Sequence, residues 1–86
     1  MKVSVYDTYV QKNNGAIMHF DILVEESISL EDVYKYGKGY LTQKKVSNTK
    51  LTTNQCKFCH IEKAPKEIEK SINENGFYII EMENCN

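Results

Sequence analysis

The sequence contains no arginine: its 11 basic residues apart from histidine are all lysines, and the formal net charge is −1. A surface that binds nucleic acid gathers basic residues on one face, and arginine supplies the planar fork that fits phosphate or guanine. Here acids and bases are interspersed, and the one basic pair, Lys44 and Lys45, falls in a predicted loop. The composition therefore argues against a nucleic-acid partner.

Long apolar runs are also missing. No stretch approaches the roughly 18 apolar residues of a membrane-spanning helix. The first ten residues, MKVSVYDTYV, alternate in character and lack the continuous apolar segment of a secretory signal. We therefore expect no membrane partner and a cytoplasmic location, where thiols stay reduced. Three cysteines are an odd number, which fits a disulfide framework badly, so we expect them to be free, metal-bound or transiently redox-active.

The length of 86 residues predicts a single domain, residues 1–86, because two separate cores would not fit. A domain of this size buries a modest share of its surface, and pairing with a second copy would add stability. A homodimer is therefore consistent with the length.

The first quarter of the chain predicts a β-hairpin. Residues 2–10 and 16–24 are rich in β-branched and aromatic residues, and NNG at 13–15 is a turn signal in which Gly15 can take a positive φ. A helix follows from a capping pattern at Ser29 and Asp32, with apolar residues at helical spacing until about residue 42–44.

The second half predicts a strand, a helix and a strand. Residues 57–62 have β-forming character, although Thr52 and Gln55 also fit a capping box that would start a helix instead. Pro65 opens a helix that Gly76 ends, and residues 77–83 form the last strand.

The resulting order is β-β-α-β-α-β. The segment from the third strand to the fourth is just long enough for a right-handed parallel crossover. We therefore predict an α+β fold built as a two-layer sandwich, with a mixed four-stranded sheet and both helices on one face.

Five motifs in this order, VYDTYV, MHFDILV, YGKGYL, CKFCHIE and GFYIIEME, resemble a small bacterial family catalogued as a domain of unknown function. The resemblance covers nearly the whole chain. It implies an α+β fold known from structural genomics work, and it implies no activity and no catalytic residues.

The stretch CKFCHIE carries the densest reactive chemistry. Cys56, Cys59 and His60, with His19 as a further ligand, are the right kinds of residue for a zinc ion. The pattern also matches a covalent haem site or a thioredoxin-like redox pair, but neither has the expected context. The simplest alternative is a strand on which the cysteines serve as small apolar residues.

The hairpin carries a second candidate site. With a three-residue turn, Asp7 lies opposite Asp21 and Tyr9 opposite His19, so that all four share one face and form a polar patch for binding or acid–base chemistry. With a two-residue turn at Asn14 and Gly15, Asp7 lies opposite Ile22 and becomes a buried acid instead.

Three functions remain open at this point. The first is a non-enzymatic module that binds an unknown protein partner or a second copy of itself. The second is zinc binding through the Cys-x-x-Cys-His cluster. The third is a small enzyme that uses the Asp/His patch for proton transfer, which no nucleophile elbow, phosphate loop or cofactor fingerprint supports.

Overall fold

The computed structural model describes residues 1–46, 51–52 and 54–85. Its elements, in chain order, are β1 (Lys2–Gln11), β2 (Ile17–Glu25), α1 (Leu30–Gln43), β3 (Cys56–Lys63), α2 (Lys66–Asn75) and β4 (Phe77–Glu83). The predicted α+β class and the order β-β-α-β-α-β are confirmed. Part of the predicted loop, residues 47–50 and 53, lies outside the described residues.

The hairpin has the first of the two predicted registers. Gly15 adopts a φ of 88°, and the backbone N–H of Lys12 donates to the carbonyl of Ala16 at 2.8 Å across the turn. The ladder then places Asp7 opposite Asp21. The three-residue turn therefore sets which face of the hairpin carries the polar side chains.

The sheet is antiparallel throughout, with strand order β3-β1-β2-β4. The predicted mixed sheet with a parallel β3–α2–β4 crossover is wrong, because β3 and β4 occupy opposite edges. Chain length could not distinguish the two topologies. A ten-residue helix rises about 15 Å, which is close to the roughly 14 Å between the two edges of a four-stranded sheet.

The two helices lie on opposite faces of the sheet, so the prediction of two layers with both helices on one face is also wrong. Helix α1 packs on the face that carries Phe20 and Ile22, whereas α2 packs on the face that carries Val5 and Leu23. The sequence held the signal for this arrangement. Residues 22–24 form an unbroken apolar run, and such a run is typical of a strand buried on both faces.

Local sequence explains where the helices begin and end. The Ser29 hydroxyl accepts a hydrogen bond from the Asp32 backbone at 3.3 Å, as the capping pattern predicts. Pro65 precedes α2, and Gly76 ends it with a φ of 91°. The alternative helix from Thr52 does not form: the Thr52 and Gln55 side chains bond to each other at 2.6 Å, but β3 begins at Cys56. Neither described helix is long and apolar enough to cross a membrane.

Candidate metal centre on the hairpin

Four polar and aromatic side chains lie on the same face of the hairpin as α2, next to the part that the helix covers: Asp7, Tyr9, His19 and Asp21. Along β1, alternate residues share a face, so Asp7 follows Val5, which α2 covers. Cross-strand pairing then brings the β2 residues alongside. The structure thus brings the four residues of the predicted polar patch together on one face.

Three ligand-type atoms of this patch lie within 4.8 Å of one another. The Nε2 atom of His19 lies 3.5 Å from Asp7 Oδ1 and 3.9 Å from Asp21 Oδ1. The imidazole is held in place by the ring of Tyr9, which stacks on it with 4.1 Å between centroids and 10° between planes. The cross-strand ring contact therefore fixes the direction in which the imidazole points.

Burial makes this arrangement costly as it stands. Asp21 is 7% exposed. Neither Asp21 Oδ1 nor His19 Nε2 has a hydrogen-bond partner in the described part of the chain. A buried polar atom without a partner costs about 1–3 kcal/mol. Two such atoms that face each other indicate a site where an ion or a water molecule binds between them.

The two carboxylates differ in acidity because they are close together. Burial, and next the neighbouring Asp7 carboxyl, raise the pKa of Asp21 to about 6. The neighbouring Asp21 carboxyl, and next His19, lower the pKa of Asp7. Two acids of this kind share one proton below about pH 6, and the more buried carboxyl, Asp21, carries it.

A β-bulge in β3 adds a thiol to the edge of the patch. Tyr6 pairs with Phe58 and Val5 pairs with His60, so Cys59 is an extra residue that pairs with no residue of β1. The nearby Asp7 carboxylate acts on this thiol electrostatically. Desolvation and the charge of Asp7 raise the pKa of the thiol, which therefore stays protonated in the absence of a metal.

The residues of the predicted Cys-x-x-Cys-His zinc site do not all converge. Cys59 and His60 lie on the patch side of the sheet, with 3.1 Å between the sulfur and Nδ1. Cys56 pairs with Thr8 and is buried in the α1 core on the other face. Two cysteines three apart on a strand face opposite ways, whereas a metal clip needs them at a turn.

The opposite orientation of Cys56 and Cys59 also argues against a covalent haem site and a thioredoxin-like redox pair. One haem, or one disulfide, needs both sulfurs on the same side of the chain, and Cys56 and Cys59 are on opposite sides. Burial also raises the pKa of Cys56, which makes it a poor nucleophile. Cys56 thus fits the interpretation as a small apolar core residue.

Cys85, the last cysteine, is buried in the core on the α1 side. Its thiol donates to the backbone carbonyl of His19 at 3.3 Å. It therefore supports the backbone of β2 at the candidate site without contributing a ligand.

Comparison with known proteins shows that the chain matches a protein family. The family described as "Domain of unknown function (DUF2024)" matches residues 1–82. The solved NMR structure of protein NE1680 from Nitrosomonas europaea, a structural genomics target, is 37% identical, covers 100% of both chains and superposes with a TM-score of 0.86. No curated protein matches the chain.

Proposed function

The chain belongs to the DUF2024 family, whose function is unknown, and from the geometry of the patch we propose that it is a small non-enzymatic module that binds a divalent transition metal ion. The ligands are the Nε2 atom of His19 and one carboxylate oxygen from each of Asp7 and Asp21. The observation that carries the proposal is the pair of buried ligand atoms, His19 Nε2 and Asp21 Oδ1, which face each other and have no hydrogen-bond partner among the described residues.

Distances favour a tetrahedral ion such as Zn²⁺. Ligand atoms about 2.1 Å from a tetrahedral ion stand about 3.4 Å apart. The two distances from His19 Nε2 are 3.5 and 3.9 Å, so small side-chain movements would close the site. One imidazole and two carboxylates make three ligands, which leaves a fourth position for water or another small ligand.

Charge supports the same proposal. The two carboxylates repel each other unless a proton or a cation lies between them, and a divalent ion neutralises both. Because the ion must displace the shared proton, its affinity falls as the pH drops through about 6, the pKa of Asp21.

The test is isothermal titration calorimetry, in which Zn²⁺ is added to protein stripped of metal with a chelator. Native mass spectrometry then counts the metal ions bound per chain. We expect one ion per chain for the native sequence and loss of binding in His19→Ala and Asp21→Asn. His60→Ala is the matched control, because it removes the other imidazole from the same side of the sheet. Absence of binding, or equal loss in the control, would overturn the proposal.

A second candidate function, proton transfer, is favoured by the opposite pKa changes of the two acids. With a pKa of about 6, Asp21 can donate or accept a proton near neutral pH while Asp7 stays ionised. Metal titration separates the candidates, because a bound ion removes the shared proton on which this chemistry depends.

We further propose a cytoplasmic location without nucleic-acid or membrane partners. All three cysteines are free thiols, which is the state expected in a reducing compartment. The absence of arginine and the net charge of −1 support the lack of a nucleic-acid partner.

A further inference from the structure

Strand β3 forms an open edge of the sheet. It pairs with β1 on one side, and in the described part of the chain no strand pairs with its other side. Seven of its eight residues are exposed. Two of these are large apolar side chains, Phe58 with 55% and Ile61 with 47% of their surface in solvent. An edge with unpaired backbone groups and exposed apolar residues is suited to accept another strand.

We propose that two copies of this chain associate through β3, antiparallel, about a two-fold axis between Cys59 and His60. This register places Phe58 opposite Ile61 of the partner subunit and Lys57 opposite Glu62 of the partner subunit. Each contact occurs twice because the interface is symmetric. The edge is therefore complementary to itself in both apolar character and charge.

Because of the bulge at Cys59, the residues that face each other across this interface lie on the same face of the sheet. In a regular strand, residues 58 and 61 would point to opposite faces. Here Phe58 pairs with Tyr6 and Ile61 pairs with Ser4, so both lie on the α1 side. Opposite residues in an antiparallel pair must share a face, and the extra residue brings the two apolar side chains onto one face.

Neighbouring registers lack this consistency. A shift of one residue in one direction sets Phe58 against His60 of the partner subunit, and a shift in the other direction sets Cys59 against Ile61 of the partner subunit. Each of these pairs joins residues from different faces of the sheet. Only the register centred between Cys59 and His60 keeps every pair from Cys56 to Lys63 on a shared face.

The charged pair supplies the specificity. Phe58 and Ile61 lie on the α1 side, whereas Lys57 and Glu62 lie on the other side of the sheet. Within the subunit, Lys57 pairs with Asp7 of β1 and Glu62 pairs with Val3. In a symmetric dimer the Lys–Glu contact forms on both sides of the axis, whereas a like-charged pair there would oppose association twice. An eight-stranded sheet results. Because one strand edge buries less than a standard interface, we expect a reversible, concentration-dependent dimer.

The proposal is tested by sedimentation velocity in chelator from low micromolar to near-millimolar protein. We expect dimerisation of the native chain, roughly tenfold weaker association for Glu62→Lys, and recovery in the double variant Lys57→Glu/Glu62→Lys. Glu67→Lys, an exposed site on α2, is the matched control and should associate like the native chain. A monomer at every concentration, or a dimer that Glu62→Lys leaves unchanged, would overturn the edge pairing.

A cross-linking measurement checks the register itself, in a Cys59→Ser background. Opposite side chains in an antiparallel pair are close enough for a disulfide. Phe58→Cys mixed with Ile61→Cys should therefore cross-link under mild oxidation, whereas Phe58→Cys alone should cross-link far more slowly. Equal rates would contradict the register. Because chelator is present throughout, failure here would leave the metal proposal standing, and failure to bind metal would leave the dimer standing.

Discussion

Replacing Asp21 by Asn should stabilise the metal-free protein at neutral pH, although the residue is buried beside two other polar groups. The substitution keeps the size and shape of the side chain and removes its charge. At neutral pH the native carboxyl is forced to ionise in a site that favours its protonated form. The amide avoids that cost and can still donate to Asp7.

The size of the effect follows from the pKa of Asp21. The pKa rises from 3.8 to about 6 in the folded state, which corresponds to about 3 kcal/mol at 1.36 kcal/mol per unit. Because the folded-state pKa is the higher one, protonation favours the fold below about pH 4, and this contribution is lost as the pH rises through about 6. Asp7 acts in the opposite direction, since its pKa is lowered. We therefore expect a net gain of about 1–3 kcal/mol in the variant.

The assay is urea unfolding, followed by circular dichroism in chelator, for the native chain and Asp21→Asn across the acidic and neutral range. The free energies of unfolding should converge below about pH 4 and separate as the pH rises through about 6. A variant that is less stable than the native chain at neutral pH, or a difference that does not change with pH, would refute the reasoning about the carboxyl pair.

Two further predictions concern packing and thiol exposure. Gly37→Ala should be less stable than Gly39→Ala by about 1–3 kcal/mol, because the added methyl group would collide with a side-chain methyl group of Leu51 and lie 3.0 Å from one of Ile22. Gly39→Ala, on the same helix with nothing within 4 Å, should instead add up to about 1 kcal/mol; a loss of stability in both would contradict the packing argument, and urea unfolding measures each. In native protein a maleimide should modify Cys59 alone, because the other two thiols are buried, and mass spectrometry of the labelled peptides would contradict this if another cysteine reacted equally fast.

Local signals in the sequence predicted the hairpin and left two registers open, of which the structure has the one with the three-residue turn. The NNG turn, with Gly15 at positive φ, sets which residues of the two strands face each other. Once the three-residue turn is chosen, alternation places Asp7, His19 and Asp21 on one face. The polar patch was therefore accessible from sequence because each of its members depends on a short stretch of chain.

The sheet order and the cysteine motif depended on contacts distant in sequence. Nothing within β3 indicates that it pairs with β1 rather than β4, and the length of α2 fits either arrangement. The bulge at Cys59 arises from pairing with Val5 and Tyr6, and no turn residue marks it. The motif therefore suggested four converging ligands, whereas strand geometry directs Cys56 into the core.

The most direct measurement of the central claim is the nitrogen NMR spectrum of the two imidazoles during zinc titration. The chain has only two histidines, His19 and His60, so the signals can be assigned with one variant. If the patch binds the ion, the Nε2 resonance of His19 shifts and saturates at one equivalent, while the His60 resonances stay in place. A shift of His60 alone, or no shift of either imidazole, would contradict the account.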